Sequence, residues 1–291
     1  MAMFLKNLKA LLFTEGMLLA YCRWLVSTKL HSKTPDVTLA DSLKIGGWIS
    51  FSEYWSFRKG ITDAEQAFIR RNLYDESGGA RVAVDIGANI GLFTVYCANF
   101  DSTYVHSFEP VPQTFARLKS NIQRNNLEDK VALNLLAVGA EEGIVQFAIF
   151  DDSPAVNRIF NRSESSAFSE QENNQFKTID VAVTTLDKYC RDQNITSIDF
   201  LKVDVEGMES WFIEGAREML ANKSVKAILI EICPTNLKQS ESSVEILYQS
   251  IVKSGYIPYR ISLDGTIGSE LTRKDLEIIV LENVALLPEI K

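Results

Sequence analysis

The chain has 291 residues, 46% of them hydrophobic, enough for one large α/β domain with an appendage. A formal charge of −8 argues against an extended nucleic-acid surface, which needs clustered Lys and Arg, so no nucleic-acid partner is expected. Four scattered cysteines and two histidines offer no zinc-site spacing, and free thiols fit a reducing, cytoplasmic setting.

The first thirty residues are apolar and periodic, but Lys6, Lys9, Glu15 and Arg23 interrupt them, so no run reaches the roughly 18–20 apolar residues of a membrane span. The pattern predicts one or two amphipathic helices whose apolar faces need cover from the core, a second copy of the chain or a membrane surface. Pro35 to Asp41 reads as a connector. Lys44 to Lys59 is rich in aromatics, among them Trp48, Tyr54 and Trp55, which suit a core and a substrate cleft equally; Tyr54 and Trp55 are carried forward as acceptor-binding candidates. Residues 1–60 therefore read as an extension serving as a lid or dimerisation element, and residues 61–291 as the main domain. A helix is expected over Thr62 to Leu73, with Thr62 or Asp63 as its cap.

The main domain centres on Val82-Ala-Val-Asp85-Ile-Gly87-Ala88-Asn89-Ile-Gly91. A β-branched run breaks into two glycines and re-enters an apolar helical stretch, the opening of a nucleotide-binding α/β unit. A dinucleotide fingerprint, Gly-x-Gly-x-x-Gly, seats pyrophosphate on the helix N-terminus. Here Asp85 takes the place of its first glycine. A carboxylate there repels phosphate and suits a cationic ligand with a free amino group, such as S-adenosylmethionine.

Strands are then expected at Tyr104 to Glu109, Val131 to Val138, Ile144 to Phe150 and Ile179 to Val183, with a helix over Gln113 to Asn125. Asp151 to Lys177 is polar and aperiodic and reads as a long loop. Ile198 to Gly207 and Ala227 to Ile232 read as central strands, with a short helix at Leu186 to Arg191 and another at Ser243 to Lys253. Two further strands are expected at Ile257 to Ile261 and Ile278 to Leu281. Alternating elements of this kind predict a mostly parallel, doubly wound sheet.

Four strands end in acids: Asp85, Glu109, Asp204 with Glu206, and Glu231. In a parallel sheet these ends meet at one edge, where mutual repulsion requires something positive nearby. Lys202 is one partner for Asp204. Glu206 is an alternative cap for the helix beyond Gly207. Glu109, ending the second strand, suits the hydroxyls of a ribose and is expected to lie outside the core. Asp204, Glu206 and Glu231 offer oxygen ligands, but nothing in their spacing requires a metal, and none is expected. His106, inside a strand, reads as a satisfied core histidine.

Together, Val84 to Gly91, Phe108-Glu109-Pro110, Leu118 with Asn121 and Asn125, Ala137-Val138-Gly139, Thr185-Leu186-Asp187, Leu201 to Glu209, Gly215-Ala216 and Ile230-Glu231 resemble the FkbM family of S-adenosylmethionine-dependent methyltransferases. The resemblance spans roughly Gly60 to Leu281. It implies a Rossmann-like class I methyltransferase fold with a C-terminal antiparallel strand, and O-methylation of a sugar, glycan or secondary-metabolite hydroxyl. By matching position, Asp85, Gly87 and Asn89 would hold the methionine part of the cofactor, Glu109 the ribose, and Ala137 and Val138 would lie near the adenine, with Ala88, Gly91 and Pro110 as further cofactor-binding candidates. Asp204, also beside the cofactor, and Glu206 are the candidate bases, with Glu231 on the acceptor side. A nicotinamide-dependent oxidoreductase and a non-catalytic S-adenosylmethionine-binding protein are the alternatives.

Overall fold

The computed structural model describes residues 17–30, 34–39, 42–57, 60–150, 158–159 and 176–289. Two compact units divide the chain, Met1–Gly60 and Ile61–Lys291.

The N-terminal unit contains a helix, Met17–Leu30, a two-residue antiparallel pair, β1 (Val37–Thr38) with β2 (Lys44–Ile45), and a second helix, Phe51–Phe57. Aromatic rings hold it together: Tyr54 lies 5.5 Å from Trp24 and 6.0 Å from Trp48 between centroids. The Trp48 indole donates to the Pro35 carbonyl. The expected helical stretch before residue 17 lies outside the described residues. No described helix is long and apolar enough to cross a membrane.

The larger unit is built on an eight-stranded sheet. Its strands are β3 (Arg81–Ile86), β4 (Thr103–Phe108) and β5 (Val131–Asn134); β6 (Ala137–Val138), β7 (Gly143–Phe150), β8 (Arg158–Ile159) and β9 (Phe176–Thr184) form a separate sheet; then come β10 (Phe200–Val203), β11 (Ile228–Ile232), β12 (Tyr256–Ile261), β13 (Ile267–Glu270) and β14 (Glu282–Pro288). The central order is β13-β12-β14-β11-β10-β3-β4-β5. From β5 to β11 every pairing is parallel, and β14 joins β11 antiparallel. The expected parallel sheet with an antiparallel C-terminal strand is the fold observed. β10 is buried throughout and β3 from Ala83 onward, and apart from Asp85 and Lys202 their buried residues are apolar, as in strands covered on both faces. Local signals set the surrounding helices: Thr62 and Glu65 form a reciprocal capping box, Pro112 opens Pro112–Arg124, and Ser243 caps Val244–Lys253.

Three sequence expectations are corrected. Val131 to Val138 is not one strand: the chain leaves the central sheet after Asn134, and Ala137–Val138 pairs parallel with β9 in the second sheet, order β6-β9-β7-β8. Ile278 to Leu281 is not a strand. Val280 is 84% exposed, and the true strand begins at Glu282, with its charged end at the sheet margin. The polar stretch from Asp151 contributes strand residues at Arg158–Ile159, and β9 starts at Phe176; the rest of that stretch lies outside the described residues.

Candidate active site

The carboxyl ends of β3, β4, β5 and β10 are stapled together by backbone hydrogen bonds. The N–H groups of Gly87 and Ala88 donate to the Phe108 carbonyl, that of Glu109 to Asn134, and that of Asp204 to Ile86. Gly87 has φ +77°, and a Cβ there would stand 1.8 Å from the Asp204 carbonyl oxygen. Only glycine lets the first turn press against the β10 exit in this way. Asn89 and Glu206 both sit in the left-handed region, at φ +50° and +52°. Such backbone positions carry a conformational cost and gather at functional turns.

These strand ends surround a cleft of about 90 Å³, partly open to solvent. Gly87, Asn89, Glu109, Asp204 and Glu206 form its polar part. Pro110, Val111, Leu136, Ala137, Val138 and Phe147 line its apolar part, with Phe108, Ile86, Val205 and Met208 between.

Of the sequence candidates, Gly87, Asn89, Glu109, Pro110, Ala137, Val138, Asp204 and Glu206 line this cleft. Asp85 does not. It is 3% exposed, its carboxylate accepts from the Thr94 hydroxyl at 2.5 Å, and burial pushes its carboxyl up to about 6. Ala88 is buried behind the turn, and Gly91 begins the Leu92–Ala98 helix at φ +93°. Tyr54 and Trp55 belong to the aromatic packing of the N-terminal unit.

Glu109 departs from the expectation that it lies outside the core. It is 6% exposed, and each of its oxygens accepts a backbone N–H, Oε2 from Asn89 at 3.0 Å and Oε1 from Val111 at 2.9 Å. It therefore fixes the glycine turn against the start of the next helix. Burial nevertheless raises its carboxyl to about 7. Asn89 Oδ1 is buried with no hydrogen-bond partner, an unused acceptor in the cleft wall.

Acids crowd the β10 exit. One carboxylate oxygen from each of Asp204, Glu206 and Glu231 lies within 4.8 Å of the others. Burial pushes Glu206 up to about 8, and Asp204, Glu231 and Glu209 add to the rise; Glu231 is raised by burial and then by Asp204. Lys202, 1% exposed, is the cation set among them. Its Nζ lies 3.5 Å from Asp204 Oδ2, donates to the Val203 carbonyl and sits over the Phe93 ring. The sequence pairing of Lys202 with Asp204 is the one observed. The suggested cap is not: Glu206 accepts from the Asn236 side-chain amide, while Glu209 takes the Gly207 N–H. His106 is buried, with Nδ1 2.9 Å from the Tyr189 hydroxyl, a satisfied core histidine as expected.

Sequence reasoning missed Glu209, Leu136, Val111 and Phe147. Val111 stands between two prolines already singled out, and Leu136 falls in a run taken for strand. Phe147 has no local signal, because it arrives from the second sheet.

A parallel α/β sheet whose acid-rich strand ends surround a glycine turn defines the Rossmann-like class of methyltransferase folds. Residues 85–258, more than half of the chain, match the Methyltransferase FkbM domain, and the chain belongs to that family. Methyltransferase 1 of Beauveria bassiana (strain ARSEF 2860) is 25% identical over 168 residues, 52% of this chain and 64% of that protein, so the chain spans less than two thirds of that relative. Methyltransferase sdnD of Sordaria araneosa is 26% identical over 209 residues, 64% and 78% of the two chains. The 31-O-demethyl-FK506 methyltransferase FkbM of Streptomyces tacrolimicus is 25% identical over 182 residues, 56% and 68%. Among solved structures, a human methyltransferase 10 domain containing protein gives a TM-score of 0.43 at 11% identity, covering 95% of this chain and 97% of that one.

Proposed function

We propose that this chain is an S-adenosylmethionine-dependent O-methyltransferase acting on a hydroxyl of a sugar, glycan or secondary metabolite. The observation that carries the reading is the pairing of an unpartnered acceptor, Asn89 Oδ1, with Asp204 and Glu206 in one cleft. Such a surface wants a ligand bearing hydrogen-bond donors and positive charge, and no phosphate. S-adenosylmethionine, with its ammonium and sulfonium, meets that requirement. The name of the Streptomyces tacrolimicus relative supports oxygen as the accepting atom.

In this reading Asn89 and the Gly87 turn hold the amino-acid part, Glu109 the ribose through the oxygen lone pairs left over from its two backbone bonds, and Leu136, Ala137 and Val138 the base. The bound cofactor supplies an already activated methyl carbon. The protein's work is to align the acceptor oxygen with it and to receive the hydroxyl proton. Asp204 is the base: it lines the cleft and is ion-paired with Lys202. Glu206, raised to about 8, holds its proton at neutral pH and serves as a hydrogen-bond donor to the acceptor. Glu231 supports the acceptor side. Calorimetry with S-adenosylmethionine, S-adenosylhomocysteine and NAD tests the cofactor, and NAD as the tightest ligand refutes the reading. A labelled-methyl assay over glycans, lipids and hydroxylated metabolites then identifies the acceptor; tight cofactor binding without transfer to any of them favours a non-catalytic role.

A further inference from the structure

Phe147 lies on β7, outside the central sheet that carries the rest of the cleft. β7 pairs antiparallel with β9, with Phe147 opposite Ile179 and Val145 opposite Val181. Period-two alternation puts Val145, Phe147 and Ile149 on one face of β7. That face packs with Ile179 and Val181 of β9 and covers Val111 and Ala137. Val111 and Ala137 line the apolar end of the cleft, and among the described residues Phe147 is the one of this β7–β9 face that reaches it. The second sheet is thus joined to the cleft twice, through β6, which supplies Ala137 and Val138, and through the Phe147 ring.

We propose that Phe147 is a cofactor-binding residue, the aromatic wall of the adenine end of the cleft, so that the paired strands β7 and β9 form part of the cofactor site. The inference rests on the reading of the cleft as an S-adenosylmethionine site. The apolar end offers aliphatic side chains from Val111, Leu136, Ala137 and Val138, and Phe147 brings to them an aromatic ring. A purine is flat, polarisable and sequestered from water most effectively against another ring. The polar groups Asn89, Asp204 and Glu206 belong to the polar part of the cleft, which leaves the apolar part for the base. The bland alternative is that Phe147 only packs the strand pair, and Val181 separates the two. It is buried in the same cluster, on the neighbouring strand, yet it does not line the cleft.

The test is calorimetry of the full chain with S-adenosylhomocysteine and with adenosine, on the wild type, Phe147→Ala, Phe147→Leu and Val181→Ala, each below its own melting temperature. Base–aromatic stacking lost on alanine substitution corresponds to about 5–150-fold in affinity. Phe147→Ala is expected to weaken both probes by a factor in that range, and Phe147→Leu by a smaller one. Val181→Ala should lower the melting temperature while leaving both dissociation constants within about twofold. If Phe147→Ala does not fold, the leucine variant carries the comparison. Unchanged affinity in the folded Phe147 variants overturns the proposal, as does an equal loss in Val181→Ala, which would make Phe147 a packing residue only. A wild type that binds neither probe refutes the cofactor reading itself, and this inference falls with it. Binding by the wild type together with indifference to Phe147 refutes this inference alone.

Discussion

Glu109→Gln separates a binding role from a structural one, because the two effects on stability nearly cancel. Glu109 accepts one backbone N–H on each oxygen, from Asn89 and Val111. A glutamine keeps one acceptor and turns an amide N–H toward the other donor. Losing one hydrogen bond to a charged group costs about 1.5–3 kcal/mol. Against this, burial raises the carboxyl from 4.5 to about 7. A carboxylate with a raised folded pKa contributes its stability below the unfolded value and loses it as pH rises through the folded value, a difference of about 3 kcal/mol. The amide escapes that penalty. At pH 7 the net change in stability should therefore stay within about 1.5 kcal/mol, and the variant should gain on the wild type as pH rises from 5 to 8. Binding has no such compensation. A ribose hydroxyl that donated to a carboxylate now meets an amide with half the acceptor capacity, so S-adenosylhomocysteine affinity should fall about 10–100-fold, or roughly 1–3 kcal/mol. Thermal melts across pH and calorimetry at pH 7 read both quantities. A clear drop in melting temperature with an unchanged dissociation constant would refute the ribose assignment and leave Glu109 as a turn staple.

Gly87→Ala places a methyl 1.8 Å from the Asp204 carbonyl oxygen at a positive φ, so it should cost a few kcal/mol and abolish cofactor binding; normal calorimetric affinity would show that the turn relaxes freely. Asp204→Asn should lower turnover at saturating cofactor by about 10²–10⁴-fold and also weaken S-adenosylhomocysteine binding, because Asp204 faces the ligand's ammonium, and Glu206→Gln should do much less to turnover, because Glu206 already holds a proton at neutral pH. The opposite ranking, read in a labelled-methyl assay with the identified acceptor, would move the base to Glu206. Glu209 is raised from 4.5 to about 7 by burial, and one of its oxygens has no partner. Its contribution is present below about pH 4.5 and lost by pH 8, so Glu209→Gln should flatten the fall in melting temperature between those limits; an unchanged slope refutes that. Deletion of the residues before Pro35 should alter acceptor use or oligomeric state more than S-adenosylhomocysteine affinity, and a truncated chain unchanged in activity and mass would make them dispensable.

The succession of the central strands was legible because most of them are apolar runs followed by glycine or proline, and several helices open on a capping residue or proline. Glu109 and the pair Asp204 and Lys202 were legible for a related reason: residues at strand ends inherit their place from the fold. What failed has a common physical cause, reliance on local pattern where a distant partner decides. Val131 to Val138 is continuous in hydrophobicity, but its last two residues pair with β9, 45 or more positions along the chain. Ile278, Val280 and Leu281 are apolar but exposed, with Ile279 alone of the four buried, while Glu282–Pro288, which starts on a charge, is paired on both sides. Glu109 was placed outside the core because acids seldom enter one, but two backbone N–H groups left over from the glycine turn and the next helix hold it there.

The charge argument drawn from Asp85 does not apply to that residue. Asp85 sits behind the wall, bonded to Thr94, and acts as a scaffold for the Leu92–Ala98 helix. In the proposed reading, preference for a cation over a phosphate falls instead to Asp204 in the wall, with Glu231 beside it. Lys202 is set among them, and burial together with mutual repulsion still drives Glu206 and Glu231 upward, so among the described residues its charge leaves the group under-compensated. At an effective dielectric of about 20, one unit charge about 6 Å away is worth roughly 3 kcal/mol. A ligand bringing positive charge relieves the cluster by that order, and a pyrophosphate aggravates it similarly. Binding of a cationic ligand should also drive a proton off Glu231, whose raised value lies closest to neutrality. The heat of binding at pH 7 should then vary with the ionisation enthalpy of the buffer in the direction of proton release. Proton uptake on binding S-adenosylmethionine would mean that the acids do not face the ligand's charge, and the basis for preferring it over a dinucleotide would be gone.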